Sequence, residues 1–288
     1  MRAMTEPAGG SLVTDVQDGS RVRTVWANLD LAVLVPARIV VQVAAARGPT
    51  EFEESFDAGV DGQPCEVTEV ATPYGGRAHV LYAETGTVSI RYRARVGQLD
   101  TDPAVSDSDR IVFARPSRYA ESDRLGPLAL AELPTVATAD PAEVVDAVAA
   151  YVRRRLRYTW GVSRVTDGAV DTLLTGAGVC RDFTHLTIAL MRALGVPARA
   201  TAVYAPGLMP MDFHAVTEVA IGGVWRAVDT TGLAPRQSMV RIVSGLDAAE
   251  NAFLDVPYGH VQISSQQIGA TVEPTLPFDD TLALVSLR

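Results

Sequence analysis

The sequence predicts an α+β fold, in which an antiparallel β-sandwich at the amino terminus is followed by a domain of helices packed on an antiparallel sheet. Residues 11 to about 98 contain short β-rich runs separated by Gly- and Asp-rich turns such as DAGVDGQP, without a long helical period. Beyond residue 130, apolar residues recur at spacings of three and four, and two strand-like runs meet at Gly222-Gly223. We therefore predict a β-sandwich domain with its connecting segment at residues 1–130 and a second domain at residues 131–288.

The first helix of the second domain has a well-marked predicted start. Asp140 is a suitable amino-terminal cap, and Pro141 suits the first helical position because its φ is already helical and no N–H partner is needed there. Val145, Val148 and Val152 form its apolar stripe. The segment RYTWG then ends the helix.

Composition limits the classes of function. The chain has 288 residues, 48% of them hydrophobic, and a net charge of -9, which argues against nucleic acid as a partner. Its two cysteines, Cys65 and Cys180, do not make a disulfide framework. The first residues lack the apolar stretch of a signal peptide, and no segment approaches 18 uninterrupted apolar residues. We expect a reduced, cytoplasmic protein that does not bind membranes, and its oligomeric state is left open.

Cys180 is predicted to lie in the first turn of a buried helix. Gly176 and Gly178 interrupt the chain just before it, and Gly195 marks the end of the helix. The apolar residues between them follow a helix period: Phe183, Leu186, Leu190 and Leu194. Unpaired N–H groups and the helix dipole at such a position favour a thiolate. We expect the Asp182 carboxylate to point into the helix start, away from the thiol.

His214 and Asp229 are predicted to meet on one hairpin. Residues 213–221 and 224–231 have strand character, and Gly-Gly between them favours a two-residue turn. Position 214 then faces position 231, and Asp229 is its diagonal neighbour on the same face of the sheet, about 7–8 Å away. A carboxylate at that position can reach an imidazole nitrogen. A three-residue turn would place the two side chains on opposite faces.

The order cysteine, histidine, aspartate matches the three roles of nucleophilic catalysis on a thiol. Cys180 is the candidate nucleophile, His214 its base, and Asp229 the group that orients the base. Taken singly, each residue has a simpler interpretation, because a buried cysteine is usually a small apolar side chain and a histidine on a strand is usually structural. The three motifs together favour catalysis.

These motifs resemble the transglutaminase-like superfamily in its compact bacterial branch. The segments GVCRDFTHL, DFHA and VDTTG carry the resemblance, and RPSRYAESDRL, TDGAVDTLL and GLDAAENAFL extend it over most of the chain. The resemblance implies a papain-like catalytic domain of helices on an antiparallel sheet after an all-β domain, with Cys180, His214 and Asp229 as the catalytic residues. Val216 stands where many members carry tryptophan, two residues after the histidine.

Other residues are weaker candidates for a role in the active site. Trp160 is a candidate oxyanion donor, because related enzymes use an upstream tryptophan or glutamine in that way, although a packed core or rim position is the simpler interpretation. Arg118 and Tyr119 lie in an irregular connecting stretch. They close one side of a substrate groove or form an interdomain clamp, and the clamp is favoured. His185 is interpreted as a structural hydrogen-bonding residue.

The triad predicts a thioester acyl-enzyme formed on a peptide or protein amide, with no metal and no cofactor. Resolution by an amine acceptor would make the protein an acyltransferase, and resolution by water a cysteine peptidase or amidase. A non-catalytic, peptide-binding scaffold is the third alternative, which the intact triad disfavours. All 25 basic residues are arginine, so the enzyme has no lysine side chain through which it could cross-link itself.

Overall fold

The structure is a computed structural model that describes residues 21–48, 52–97, 103–279, 281 and 283–287. The part of the predicted β domain at residues 11–20 and the start of the connecting segment at 99–102 lie outside the described residues. Among the described residues, no helix combines the length and the apolar character that a bilayer crossing requires.

A curled antiparallel sheet forms the larger β layer. Its strands are β1 (Val22–Val41), β2 (Phe52–Val60), β3 (Gln63–Pro64), β4 (Thr68–Ala71), β5 (Arg77–Ala83), β6 (Gly86–Val96) and β13 (Leu254–Glu273). Strand β1 pairs with β6 over residues 23–33, with β5 over residues 37–41, and with β13 along nearly its whole length. Alternate residues of β1 are buried, as expected for a sheet with one face on the core.

The mixed α+β prediction is confirmed, but the β layer differs in construction from the predicted sandwich. It is one sheet that curls, rather than two separate sheets. Strand β13 belongs to it although it follows the predicted domain boundary near residue 130. Local patterns identify a strand but not its distant partner, which is why this pairing was not predicted.

A second sheet carries His214, and Asp229 follows directly after one of its strands. Its order is β11 (Val224–Val228), β10 (Phe213–Ile221), β9 (Ala198–Tyr204) and β12 (Val240–Gly245). The short parallel pair is β7 (Arg157–Tyr158) and β8 (Ala177–Gly178). The α-helices are α1 (Asp107–Val112), α2 (Ser122–Glu132), α3 (Pro141–Arg155), α4 (Ala169–Thr175) and α5 (Cys180–Ala193).

Helix α5 is packed inside the protein and joins the sheet to the other helices. Its Leu186, Ile188 and Leu190 are completely buried in one core with residues of α2, α3 and β9. The two sheets also contact each other, because the Tyr204 hydroxyl donates to the Val43 carbonyl at 2.7 Å. The groove described below lies along this junction.

Candidate active site

Cys180 is the first residue of α5 and is half-buried, as the sequence predicted. The buried Asp182 carboxylate accepts a hydrogen bond from the Val179 N–H at 2.8 Å and pairs with Arg181 at 2.8 Å. Asp182 therefore caps the helix start, which confirms the predicted orientation. The first-turn N–H of Cys180 belongs to the groups that a helix leaves without an internal acceptor.

The hairpin that carries His214 has the predicted register. Ile221 pairs with Val224, and Gly222 and Gly223 have φ values of 59° and 80°, as a type I′ turn requires. The second strand ends at residue 228, three residues earlier than predicted, so the ladder stops at the pair Thr217–Val228 and the predicted pairing of positions 214 and 231 does not form. It ends there because the chain turns: one oxygen of Asp229 accepts from the N–H and the hydroxyl of Thr231 at 2.8 and 2.7 Å.

His214 and Asp229 form a buried ion pair. Nε2 of His214 lies 3.0 Å from Oδ2 of Asp229, and the side chains are 1% and 2% exposed. Burial by itself lowers the pKa of His214, but Asp229 and Cys180 outweigh it and raise that pKa to about 10. Burial acts to raise the pKa of Asp229, and His214 and Thr231 bring it below its usual value. The surroundings of the ring therefore favour its protonated form.

The second nitrogen of the His214 ring is available for the thiol. Nδ1 is buried, and no partner other than the Cys180 thiol is found for it among the described residues. The Cys180 side chain lies near enough to contribute to the raised pKa of the imidazole. The structure thus brings the three predicted residues together, with Asp229 on one ring nitrogen and Cys180 on the side of the other.

A groove of about 800 Å³ opens over Cys180 and His214. The larger sheet contributes Leu254, Asp255 and Gln266 of β13 to its wall. A cleft of this volume, with both apolar and polar walls, is of the size that binds small ligands or a length of peptide.

Tyr119 lines this groove, and its ring is held in place. It stacks on His185 with ring centroids 5.3 Å apart, and the Arg118 guanidinium lies 4.7 Å from the Tyr119 ring centre. Burial lowers the pKa of His185 to about 4, so its Nε2 can accept a hydrogen bond from the Ala248 N–H at 3.2 Å. The structural interpretation of His185 agrees with these contacts.

Trp160 lies on the other side of the histidine. It is 58% exposed and lines a separate slot with His214, whereas it does not line the groove that contains Cys180. The rim position that was the simpler alternative for Trp160 matches this exposure.

Tyr158 is a residue that the sequence analysis missed. Strand β7 pairs Tyr158 with Gly178, two residues before Cys180. Burial and the neighbouring Cys180 raise the pKa of the phenol, and a hydrogen bond from the Cys180 backbone N–H opposes them. The available signal was the position of Tyr158 beside Trp160, but a two-residue strand has no period that would reveal its partner.

The described part of the chain holds no group of three or more His, Cys, Asp or Glu side chains arranged for a metal ion. Cys65 and His79 lie in the larger sheet region. His79 is stacked on Phe56 with ring centroids 3.8 Å apart.

Comparison with known proteins identifies the family. The family model of the transglutaminase-like superfamily matches residues 129–230, which include the cysteine, the histidine and the aspartate. The crystal structure of a candidate cysteine protease from Cytophaga hutchinsonii is 30% identical to this chain, with a TM-score of 0.80 and 94% of each chain covered. The chain belongs to the transglutaminase-like superfamily, and its fold is that of a cysteine-dependent enzyme of this family.

Two further proteins are less similar to this chain. One has a lower TM-score, and the other matches over a shorter length. The periplasmic domain of TgpA from Pseudomonas aeruginosa is 18% identical, with a TM-score of 0.43, 73% of this chain covered and 90% of that domain. The uncharacterized protein ML0607 of Mycobacterium leprae (strain TN) is 37% identical over 65 residues. That match spans 23% of this chain and 23% of the M. leprae protein.

Proposed function

We propose that this protein is a cysteine-dependent acyltransferase that forms a thioester acyl-enzyme from a peptide or protein amide. The observation that supports it best is the buried His214–Asp229 pair, whose imidazole also has the Cys180 side chain as a hydrogen-bonding neighbour. A histidine that is protonated at neutral pH stabilises a neighbouring thiolate. Asp229 holds the ring in the tautomer and orientation that this pair needs.

The proposed reaction begins with attack of the Cys180 sulfur on the amide carbonyl carbon. A C–S bond forms, and the carbonyl oxygen takes the negative charge. As the tetrahedral intermediate collapses, the C–N bond breaks, and the proton on Nδ1 of His214 passes to the leaving amine. A second amine then attacks the thioester, His214 accepts its proton, and the Cys180 thiolate is regenerated.

We assign two donors to the oxyanion, the backbone N–H of Cys180 and the hydroxyl of Tyr158. The Cys180 N–H is close enough to the phenol oxygen to affect its pKa, so the two groups lie near one place. The raised pKa keeps the phenol protonated and able to donate. Removing one such donor costs about 10²–10³ in rate. Tyr158→Phe is therefore expected to slow the acyl-enzyme burst with p-nitrophenyl acetate by that factor.

Hydrolysis is the second candidate function. It is favoured by the 30% identity and 94% coverage of the candidate cysteine protease. Chemically, only the last step differs, because water replaces the amine that attacks the thioester. Product analysis separates the two: with p-nitrophenyl acetate and n-butylamine, transfer yields N-butylacetamide and hydrolysis yields acetate.

The first test is thiol alkylation by iodoacetamide at pH 6.5, followed by intact-mass spectrometry. A Cys65→Ser background leaves Cys180 as the single thiol in the chain. An ordinary thiol is about 1% ionised two pH units below a pKa of about 8.5. We therefore expect alkylation about 100-fold faster with His214 present than in His214→Ala. Equal rates in the two proteins would exclude the ion pair and with it the enzyme.

A further inference from the structure

The turn that carries Asp229 lies just outside the sheet that carries His214. The ladder between β10 and β11 ends at the pair Thr217–Val228, one residue before Asp229. Strand pairing therefore does not set the position of the Asp229 carboxylate, although that carboxylate lies 3.0 Å from Nε2 of His214. Contacts outside the ladder must hold the turn, because a reactive set of side chains works only when its neighbours keep it in place.

A pair of hydroxyl groups joins this turn to helix α5. Oγ1 of Thr230, the residue after Asp229, lies 3.1 Å from Oγ1 of Thr187 in the helix. The Thr187 hydroxyl donates its own proton to the Phe183 carbonyl at 2.7 Å. Since a hydroxyl has one proton to donate, Thr230 is the donor and Thr187 the acceptor between them. The hydrogen bonds thus run from the Asp229 turn to the backbone of the first turn of α5.

Both hydroxyl groups are shielded from water. Thr187 is completely buried, and Thr230 is 4% exposed. Water does not replace a hydrogen bond that is lost at such a depth, so separating the two groups costs free energy. Arg153 of α3 also donates to the Asp229 carbonyl, at 3.2 Å, but its side chain is exposed and water can take its place.

Thr187 lies on the same face of α5 as Cys180. The two residues are seven positions apart, which is within about 20° of two complete turns and about 10 Å along the helix axis. Helix α5 therefore meets the His214–Asp229 pair at two points. The Cys180 side chain hydrogen-bonds to the His214 ring, and Thr187 bonds to the turn of Asp229. Two contacts on one face fix both the distance of the helix from the pair and its rotation about its own axis.

We propose that Thr187 and Thr230 are positioning residues, whose hydrogen bond holds the Asp229 turn against the helix that carries Cys180. The bond keeps the carboxylate beside the imidazole, and the imidazole beside the thiol. Its role in a reaction rests on the proposed function, but the placement of Asp229 beside His214 can be measured without any chemistry at Cys180.

One test compares the rates of Cys180 alkylation by iodoacetamide at pH 6.5 in the Cys65→Ser background. Valine has the shape of threonine without the hydroxyl, so Thr230→Val removes the donor and leaves Thr187 bonded to Phe183. We expect alkylation to slow by about tenfold, because a displaced imidazolium favours the thiolate less. Thr230→Ser keeps the hydroxyl and should restore the rate.

Thr172→Val is the matched control. Thr172 is 3% exposed, and its hydroxyl donates to the Gly168 carbonyl at 2.9 Å, the same bond along a helix that Thr187 makes. This variant should lower the midpoint of thermal unfolding, as Thr230→Val does, but leave the alkylation rate unchanged. An unchanged rate in Thr230→Val, or equal slowing in the two variants, would overturn the proposal.

Thr187→Ala examines the same bond from the side of the helix and serves if Thr230→Val folds poorly. It should also slow alkylation. If both residues act through one hydrogen bond, the double variant should react no more slowly than the slower single variant. Effects that multiply in the double variant would contradict a shared role.

A second readout separates this inference from the proposed enzyme activity. In Cys180→Ala, NMR of histidine-labelled protein follows protonation of the His214 ring, whose signal is identified by its loss in His214→Gln. Thr230→Val should lower the pKa of His214, because the carboxylate is no longer held beside it, and Thr172→Val should not. An unchanged pKa would overturn the positioning role. If alkylation proved equally fast in wild type and His214→Ala, the enzyme proposal would fail, and this titration alone would decide whether the hydroxyl pair holds Asp229.

Discussion

Glu218 lies in the four-stranded sheet and Asp229 directly after its strand β11, and the surroundings of these two buried carboxylates differ in one respect. Glu218 on β10 is completely buried, and four side chains contact its oxygens: Arg199, Arg241, Thr201 and Ser244. Every partner of this carboxylate is internal. Burial raises the pKa of Glu218, but Arg199 and Arg241 outweigh it and bring the pKa to about 2.

Asp229 is buried almost as completely, but its cationic partner His214 has a second ring nitrogen that does not contact the carboxylate. His214 uses Nε2 for Asp229, and the Cys180 side chain contributes a further hydrogen bond to the ring. The groove opens on this histidine and on Cys180. The comparison teaches that burial does not distinguish a structural ion pair from one with a chemical role. What distinguishes the His214–Asp229 pair is that its cation also faces a groove and a thiol.

The largest expected effect is on stability and comes from Glu218→Gln. The substitution leaves two buried guanidinium groups without their counter-charge, which costs about 3–5 kcal/mol of unfolding free energy. Urea denaturation measures it. Alkylation of Cys180 in the folded protein should stay within twofold of wild type, because Glu218 does not contact His214. A large loss of thiol reactivity in this variant would end the distinction between the two carboxylates.

Asp229→Asn should have a smaller effect on stability and a much larger effect on the reactivity of Cys180. Loss of one charged hydrogen-bond partner costs about 1.5–3 kcal/mol of stability. The alkylation rate of Cys180 at pH 6.5 should fall about 100-fold, because an imidazole without its carboxylate no longer stays protonated and no longer favours the thiolate. Intact-mass kinetics in the Cys65→Ser background measure the rate. An unchanged rate with lowered stability would make Asp229 a second structural carboxylate.

The elements of the candidate active site were predictable because each is set by local sequence. Two glycines fix the hairpin turn, the turn fixes the register, and residue 229 directly follows the last residue of the paired strand. In the same way, the glycines before Cys180 and the apolar period after it fix the helix start.

The residues around the site were not predictable, because their contacts join segments that are distant in the sequence. Gln266 contacts Asp212 only because β13 returns to pair with β1, more than 200 residues earlier in the chain. Tyr158 reaches Cys180 through a strand pair of two residues. Such contacts depend on pairing between distant segments, and neither segment carries a pattern that names its partner.

The pH dependence of stability should distinguish the His214–Asp229 pair from Glu218 and its two arginines. The pKa of His214 is raised from its ordinary 6.5 to about 10, so its stabilising contribution is complete below pH 6.5 and is lost as the pH rises toward 10. The pKa of Glu218 is lowered from 4.5 to about 2, so its contribution is complete above pH 4.5 and is lost as the pH falls toward 2.

Measured as wild type minus His214→Gln, the stability difference should fall as the pH rises from 6.5 toward 10. The difference for Glu218→Gln should be flat over that range and fall only in acid. If the His214 difference stays constant up to pH 10, then the imidazole is neutral in the folded protein and cannot protonate a leaving amine as proposed.

The smallest effect is expected where an ion pair is short but exposed. Asp30 and Arg91 lie 2.6 Å apart in the larger sheet, closer than His214 and Asp229 at 3.0 Å, but their side chains are 34% and 44% exposed. Water solvates both charges in the unpaired state, so Asp30→Asn should cost at most about 1 kcal/mol. In 1 M salt that cost should vanish, because the screening length shrinks to about 3 Å, whereas the cost of Glu218→Gln should persist. If Asp30→Asn proved as costly as Glu218→Gln, then distance rather than burial would set the strength of these pairs, and the reasoning that separates Glu218 from Asp229 by their surroundings would lose its basis.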